Sequence, residues 1–371
     1  MIDSVLLKIP INKTQIPPDL SKRSFKETNS RPRTASFSKE KSSTHKKNGV
    51  YKPLIKVEMQ NRKKVTYFLI IQASLPKIVY GHSLLEVDET LYELILHKIK
   101  HHAQEFGVNL FDEQISEAIV TRVDFSKVVK LPKPNNAKQF IQNLSSSGYR
   151  PRADLTKRDI RNGRDGFWIK FYNKSSSLTI YDKVAEICNQ GYTKEEKELS
   201  ELNKLGKLSN STIKFEVSLQ KKRKVTNLLN KLLNQNKDYY TFKDIFNKEI
   251  SQKVLIYYLH ESFNNEVDFL TQFKDDKEVR SLVRNLYGYQ NKSSIYFLWK
   301  EIQERGVDIV FKEIKLLHGS SKLNTVKQNL KSLNSLILEL KGNPFAPVKH
   351  LNESLSKFDL YTEAFLTKHR S

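Results

Sequence analysis

The sequence predicts an α+β fold: a central antiparallel sheet with helices on one face, followed by a mostly α-helical carboxyl-terminal domain. Short segments in which apolar and polar residues alternate recur over roughly the first 220 positions, the period of strands with one buried face. One amphipathic helix pattern, at 88–107, interrupts them. Beyond about residue 224 the spacing becomes helical, with Lys and Asn at the exposed positions, as in KDIFNKEISQKVLIYYLHESF and NLKSLNSLILELKG.

In MIDSVLLKIPI, Val5, Leu7, Ile9 and Ile11 alternate with other residues, so a strand is expected from residue 2. Residues 13–49 are rich in Ser, Thr, Lys, Arg and Pro and nearly devoid of apolar side chains. Such a stretch cannot bury enough surface to offset its chain entropy, and reads as a basic disordered insertion. It either lies along DNA phosphates or is a solvated linker. VYKPLIKVEMQNRKKVTYFLIIQA, at 50–73, reads as two strands around the polar turn 60–63. Over 88–107, Leu91, Ile95, Ile99, Ala103 and Phe106 share a helical face, Thr90 and Glu93 suit a capping box, and Gly107 suits the end.

Further strands are expected in AIVTRVDFS (118–126), SLTIYDKV (177–184) and STIKFEVSLQ (211–220). FWIKFYNKSSS reads as a strand plus a turn, giving a hairpin whose return strand carries Tyr181. A domain boundary is expected near 224–237. It separates residues 1–12 plus 50–225 from a helical DNA-binding or accessory domain at 226–371. In the latter, FLWKEIQERGVDIVFKEIKLLHGSSKLNTVKQNLKSL reads as helix, turn, helix. Ser320 to Leu333 is its candidate recognition helix, although generic helix packing gives the same pattern.

Among 371 residues, 64 Lys and Arg stand against 41 Asp and Glu, a formal charge of +23. That excess concentrates polyanions, and nucleic acid is the first partner it suggests. A polybasic membrane-surface protein competes, but the most apolar stretch, YFLIIQASL at 67–75, is strand-sized. The single cysteine, Cys188, excludes an internal disulfide and a cysteine-based zinc site. The amino end lacks the basic and apolar regions of a secretory signal, so a cytoplasmic protein is expected. No phosphate-binding Gly-x-x-x-x-Gly-Lys-Ser/Thr loop, Gly-x-Gly-x-x-Gly fingerprint or His-Glu-x-x-His helix occurs, which leaves ATP-driven chemistry without support.

Alternation also sorts the faces. Ile213, Phe215, Val217 and Leu219 point to one side, leaving Lys214, Glu216 and Ser218 on the other; Tyr181 and Lys183 oppose Ile180, and Arg122 and Asp124 oppose Val123. If the apolar rows all cover helices, Asp124, Tyr181, Lys183 and Glu216 share one open face. Carboxylates on neighbouring strands can hold a hard cation such as Mg²⁺ or Mn²⁺, leaving positions for water and phosphate. A tyrosine phenolate beside them could attack phosphorus. The same residues also suit exposed cross-strand ion pairs and an ordinary packed strand tyrosine. His82, in the turn YGHS, is the candidate third metal ligand; His97 and His101, spaced i, i+4, are a weaker pair.

TRVDFS, then YNKSSSLTIYDKVAE, then IKFEVSLQKKRKV resembles the rolling-circle replication initiators of plasmids (the Rep_trans type). MIDSVLLKIPI and ASLPKIVYGHSLLEV resemble more closely the filamentous-phage gene II/X branch of phage and plasmid replication proteins. The likeness covers residues 1–12 and about 50–225. It implies an HUH-endonuclease-like nicking domain in which Tyr181 is the nucleophile and Lys183 lies beside the scissile phosphate. It also implies that Asp124 and Glu216 bind Mg²⁺ or Mn²⁺, with His82 completing the set. The expected function is site-specific nicking and rejoining of single-stranded or hairpin origin DNA through a 5′-phosphotyrosine, in the cytoplasm of a bacterial host. Host helicase and polymerase are the expected partners. Two alternatives stay open: a non-catalytic DNA-binding copy-control regulator, and a mobilisation relaxase acting on a transfer origin.

Overall fold

The structure, a computed structural model, describes residues 1–16, 34–38, 49–61, 65–131, 137–146, 155, 157–163, 166–206, 208, 211–263, 297–298, 300–301, 307–341 and 347–361. The strands are β1 (Ile2–Ile11), β2 (Thr34–Ser38), β3 (Leu54–Asn61), β4 (Val65–Ser74), β5 (Ile119–Lys130), β6 (Lys157–Gly163), β7 (Gly166–Tyr172), β8 (Ser176–Asp182) and β9 (Thr212–Leu219). They form one nine-stranded antiparallel sheet in the order β2-β3-β4-β1-β5-β9-β8-β7-β6. The helices are α1 (Leu75–Tyr80), α2 (Tyr92–Phe106), α3 (Asp112–Ser116), α4 (Ala137–Ser146), α5 (Lys183–Gln190), α6 (Lys194–Lys204), α7 (Lys222–Leu233), α8 (Phe242–Ile245), α9 (Lys248–Ser262), α10 (Val307–Lys341) and α11 (Pro347–Lys357).

β1 sits mid-sheet, hydrogen-bonded to β4 and β5, and its Val5, Leu7, Ile9 and Ile11 are buried as the alternation predicts. Pro10, which has no N–H to offer, lies beyond the last rung with β5, the Lys8↔Ile119 pair. Ile2 faces Phe125 and Ser4 faces Asp124, so Asp3 is the extra residue of a bulge. β7 and β8 form the expected hairpin, its turn tied by the Asn173 Oδ1 acceptor for the N–H groups of Ser175 (2.6 Å) and Ser176 (2.8 Å).

One apolar cluster runs from Met1 through β1, β5, β9, α2, α7 and α9 to Phe358. Burying each large side chain in it contributes about 1.5–3 kcal/mol. The antiparallel sheet with this helical layer is the expected α+β architecture. Residues 225–263 and 348–358 contribute to the same core, and the boundary expected at 224–237 begins within α7, which packs on β5. Two further helices cover part of the opposite face: Ile187 of α5 and Leu199 of α6 join Leu84, Leu85, Val128 and Tyr361 in a smaller cluster. The polar row, expected to be open, is largely covered: Asp124, Ser126, Ser177, Lys214 and Ser218 are each 4% exposed or less.

Three local expectations change. Thr34–Ser38, inside the segment expected to be disordered, forms edge strand β2 along β3, because edge pairing needs only backbone groups; the rest of 17–48 lies outside the described residues. The 88–107 helix is entered through a 3₁₀ turn, with Asp88 Oδ1 accepting the Thr90 N–H at 2.9 Å in place of a Thr90–Glu93 box, and it ends at Gly107 with φ 96°. β8 stops at Asp182, whose carboxylate accepts the Ala185 N–H at 2.9 Å and starts α5, so Lys183 is helical. Gly81 ends α1 at φ 75°, and a Cβ there would collide with the Glu195 side chain. α10 is helical on both sides of a break at Gly319 (φ 80°, ψ 174°), and Ser320 to Leu333 lies on the second side. Among the described residues no helix is long and apolar enough to cross a membrane.

Candidate active site

The polar face is organised in rungs. Ser74, Ser4, Asp124, Ser218 and Ser177 are successive direct partners across β4, β1, β5, β9 and β8. The next rung toward α5 carries Ser126, Glu216, Thr179 and Lys170, and the one after it Val128, Lys214, Tyr181 and Trp168. Direct antiparallel partners share a face, so pairing alone brings Asp124, Glu216, Lys214 and Tyr181 together.

Asp124 is 3% exposed. It accepts from the Ser4 hydroxyl and from Arg122, whose Nη2 lies 2.9 Å from Oδ2. On β9, Glu216 Oε2 accepts from the Tyr181 hydroxyl at 3.2 Å. Burial, together with the neighbouring charges of Asp3 and Asp124 and against the pull of Lys214 and Lys183, pushes the Glu216 carboxyl up to about 7. Burial, then the negative charges of Glu216, Glu186 and Asp3, hold the Tyr181 phenol well above its ordinary range. Tyr181 is therefore a neutral donor at pH 7, and the group that receives its hydrogen bond titrates near that pH.

Two buried ammonium groups flank the pair. Lys183, 1% exposed, donates to Ser83 Oγ (2.8 Å) and Glu186 Oε2 (2.6 Å), with Nζ 5.6 Å from the centre of the Tyr181 ring. Burial and the charge of Lys214 lower its pKa, against Glu186 and Asp3. Lys214, directly opposite Tyr181 and 1% exposed, is paired with Asp3. Although burial opposes it, Asp3 and Glu216 raise the Lys214 pKa. Burial likewise pushes Asp3 upward, but Lys214 and Lys183 overcome it and hold this carboxyl below the usual carboxylate range. The β1 bulge is what turns Asp3 toward β9.

Of the residues singled out from the sequence, Asp124, Glu216 and Tyr181 share this face, and Lys183 reaches it from the first turn of α5. His82 does not join them: its Nδ1 accepts the Leu84 N–H at 3.2 Å, and its charged neighbours are Glu196, Lys183, Glu195 and Lys77. Burial, the largest influence, lowers the His82 pKa to about 4. His101 and His102 both lie against Glu105. Among the described residues no group of three or more His, Cys, Asp and Glu side chains is placed to hold a metal ion, so the set Asp124, Glu216 and His82 does not fit. Two carboxylates, Asp124 and Glu216, remain as hard oxygen donors, diagonal neighbours on adjoining strands. Mg²⁺ is commonly held by one or two carboxylates plus substrate phosphate, and here Asp124 already accepts from Arg122 and Ser4. Sequence reasoning misses Asp3 and Ser4 as members of the site. Local alternation carries no signal for a bulge, whereas Lys214 stands in the visible polar row.

A family model matches residues 1–240, which include every residue of this face; it describes the amino-terminal region of a replication-associated protein, the filamentous-phage gene II product. None of the curated proteins and none of the solved structures compared matches the chain.

Proposed function

Since the chain belongs to the family of replication-associated proteins of the filamentous-phage gene II type, initiators of rolling-circle replication, we propose that it opens the cycle by cutting one strand of origin DNA with Tyr181. The observation that carries this reading is the hydrogen bond from the Tyr181 hydroxyl to Glu216 at 3.2 Å, on a polar sheet face flanked by two buried lysines, Lys214 of β9 and Lys183 of α5.

Tyr181 Oη attacks the phosphorus of one phosphodiester and its proton passes to Glu216, the carboxylate already bonded to it. The bond from phosphorus to the 3′ oxygen breaks, the leaving oxygen takes up a proton, and the protein remains joined to the 5′ phosphate. Lys183, near the Tyr181 ring, and Lys214, opposite it on β9, would balance the charge that builds on the phosphate oxygens. Asp124 and Glu216 would hold Mg²⁺ or Mn²⁺, which supplies further neutralisation of the phosphodiester. Trp168 and Tyr172, on β7 beside Tyr181 and Ser177, offer rings for base stacking, with Lys170 Nζ 5.8 Å from the Tyr172 ring centre.

The free 3′ hydroxyl would then prime the host polymerase, and a second transfer would close the displaced circle. The carboxyl-terminal helices would select the origin and recruit a host helicase. The test incubates the protein with supercoiled DNA of its own replicon and Mg²⁺ or Mn²⁺. An open circle with protein on its 5′ end is expected. DNA binding with no nick under either metal would refute the reading.

A further inference from the structure

Next to Asp124 on the polar face, a pocket of about 230 Å³ is lined by Ser4, Tyr51, Lys52, Leu54, Gln72 and Ser74 among others. Ser4 is its link to the cutting site, since the hydroxyl that lines the pocket donates to Asp124. The walls differ in chemistry. Tyr51 is half-buried, with its hydroxyl oxygen accepting the Ser74 N–H at 2.6 Å, and Leu54 is 43% exposed, so an aromatic and an aliphatic surface border the opening. Lys52 adds a cation, which pairs with the exposed Glu105 at 3.5 Å.

One polar group of the lining is left unsatisfied. The Ser74 hydroxyl is buried with no hydrogen-bond partner among the described residues, an arrangement a folded chain seldom keeps without a ligand or water to satisfy it. Gln72, between Leu6 and Leu54 in the rung alongside, presents an amide with both donor and acceptor at the pocket. A flat apolar border, one planar amide, one hydroxyl and one nearby cation are complementary to a nucleotide. The base faces meet the apolar walls, the base edge meets Gln72 and Ser74, and the phosphate meets Lys52. The glutamine amide matches best the adjacent donor and acceptor of adenine.

We propose that this pocket receives one nucleobase of the single-stranded DNA a few nucleotides from the scissile phosphate, since four strand spacings of about 4.8 Å separate Gln72 on β4 from Tyr181 on β8, and that Gln72 reads its edge with a preference for adenine. The inference rests on the reading of the Asp124–Tyr181 face as the place of cutting, since Ser4 joins the pocket to Asp124 on that face. It makes Gln72 a residue of origin specificity, separate from the chemistry.

The test measures binding, so it does not depend on cleavage. Tyr181→Phe protein is titrated with fluorescent single-stranded oligonucleotides tiling the origin of its replicon, each position carrying each base in turn. One position is expected at which adenine binds about tenfold or more better than the other bases, and Gln72→Leu in the same background should flatten that position alone. Unchanged preferences at all other positions would show that the Gln72→Leu protein is folded. A flat profile throughout, a preference untouched by Gln72→Leu, or no binding to single strands overturns the proposal. Failure of the cutting reading looks different: wild-type protein leaves supercoiled DNA intact while the adenine preference persists.

Discussion

The Tyr181 hydroxyl donates to Glu216 Oε2 at 3.2 Å across the β8–β9 pair, so the neutral phenol is already joined to the group that can take its proton. Strand register sets this contact. Thr179 faces Glu216 and Lys214 faces Tyr181, which makes the phenol and the carboxylate diagonal neighbours on the one polar face of the sheet.

Glu216→Gln keeps the shape and removes the proton acceptor. Nicking should fall by about 10²- to 10⁴-fold, with binding of single-stranded DNA unchanged within a few-fold. Single-turnover rates on an origin oligonucleotide check it; a rate within about threefold of wild type would remove Glu216 from the chemistry.

The same substitution has a stability signature in cation-free buffer. The Glu216 carboxyl is raised by burial from an ordinary 4.5 to about 7, so the folded state binds more protons than the unfolded between those values. Its contribution is fully present below about pH 4.5 and is lost as pH rises through about 7. Urea unfolding should therefore show Glu216→Gln gaining on wild type between about pH 5 and pH 8. A difference that stays constant with pH would contradict the assignment.

Asp3→Asn leaves the buried Lys214 ammonium without its main partner and should cost about 3–5 kcal/mol in urea unfolding at pH 7. Asp3→Asn with Lys214→Met removes both charges and should recover much of that loss. Additive losses in the double variant would mean that the two residues do not interact.

Glu86, whose Oε1 lies 3.7 Å from the Met1 amino group, ties the segment before α2 to β5. It accepts from Lys127 and from the backbone N–H groups of Val128 (3.0 Å) and Tyr361 (2.8 Å). Glu86→Ala should destabilise by about 3–5 kcal/mol, since Lys127 is only 2% exposed. Lys204→Ala, which breaks the exposed pair with Glu201, should leave the unfolding midpoint unchanged within error.

Much of the sheet is legible because covalent geometry makes strand side chains alternate: β1 and β9 show it directly, and the rows it sorts are the buried and polar faces observed. The strand order is not legible, because β1 reaches β4 and β5 across long connections that leave no local trace. Lys183 reads as strand because TIYDK continues the alternation of LTI, and the cap signal of Asp182 competes with it in the same few residues. β6, KRDIRNG, has almost no apolar residue to mark a period, and β2 pairs at an edge. Asp3 leaves no mark because a bulge inserts one residue and shifts the register, which single-strand patterning cannot reveal. His82 falls in with the acids by its place in the chain, whereas the turn after α1 carries it toward Glu196.

The most direct measurement of the central claim is the identity of the residue that bears DNA after cutting. Wild-type protein is reacted with a single-stranded origin oligonucleotide and Mg²⁺ or Mn²⁺, digested with protease and nuclease, and the nucleotide-bearing peptide is sequenced by mass spectrometry. A phosphodiester-linked nucleotide is expected on Tyr181, within SLTIYDKVAE, and no adduct from Tyr181→Phe protein. An adduct on another tyrosine, or one that survives Tyr181→Phe, would contradict it.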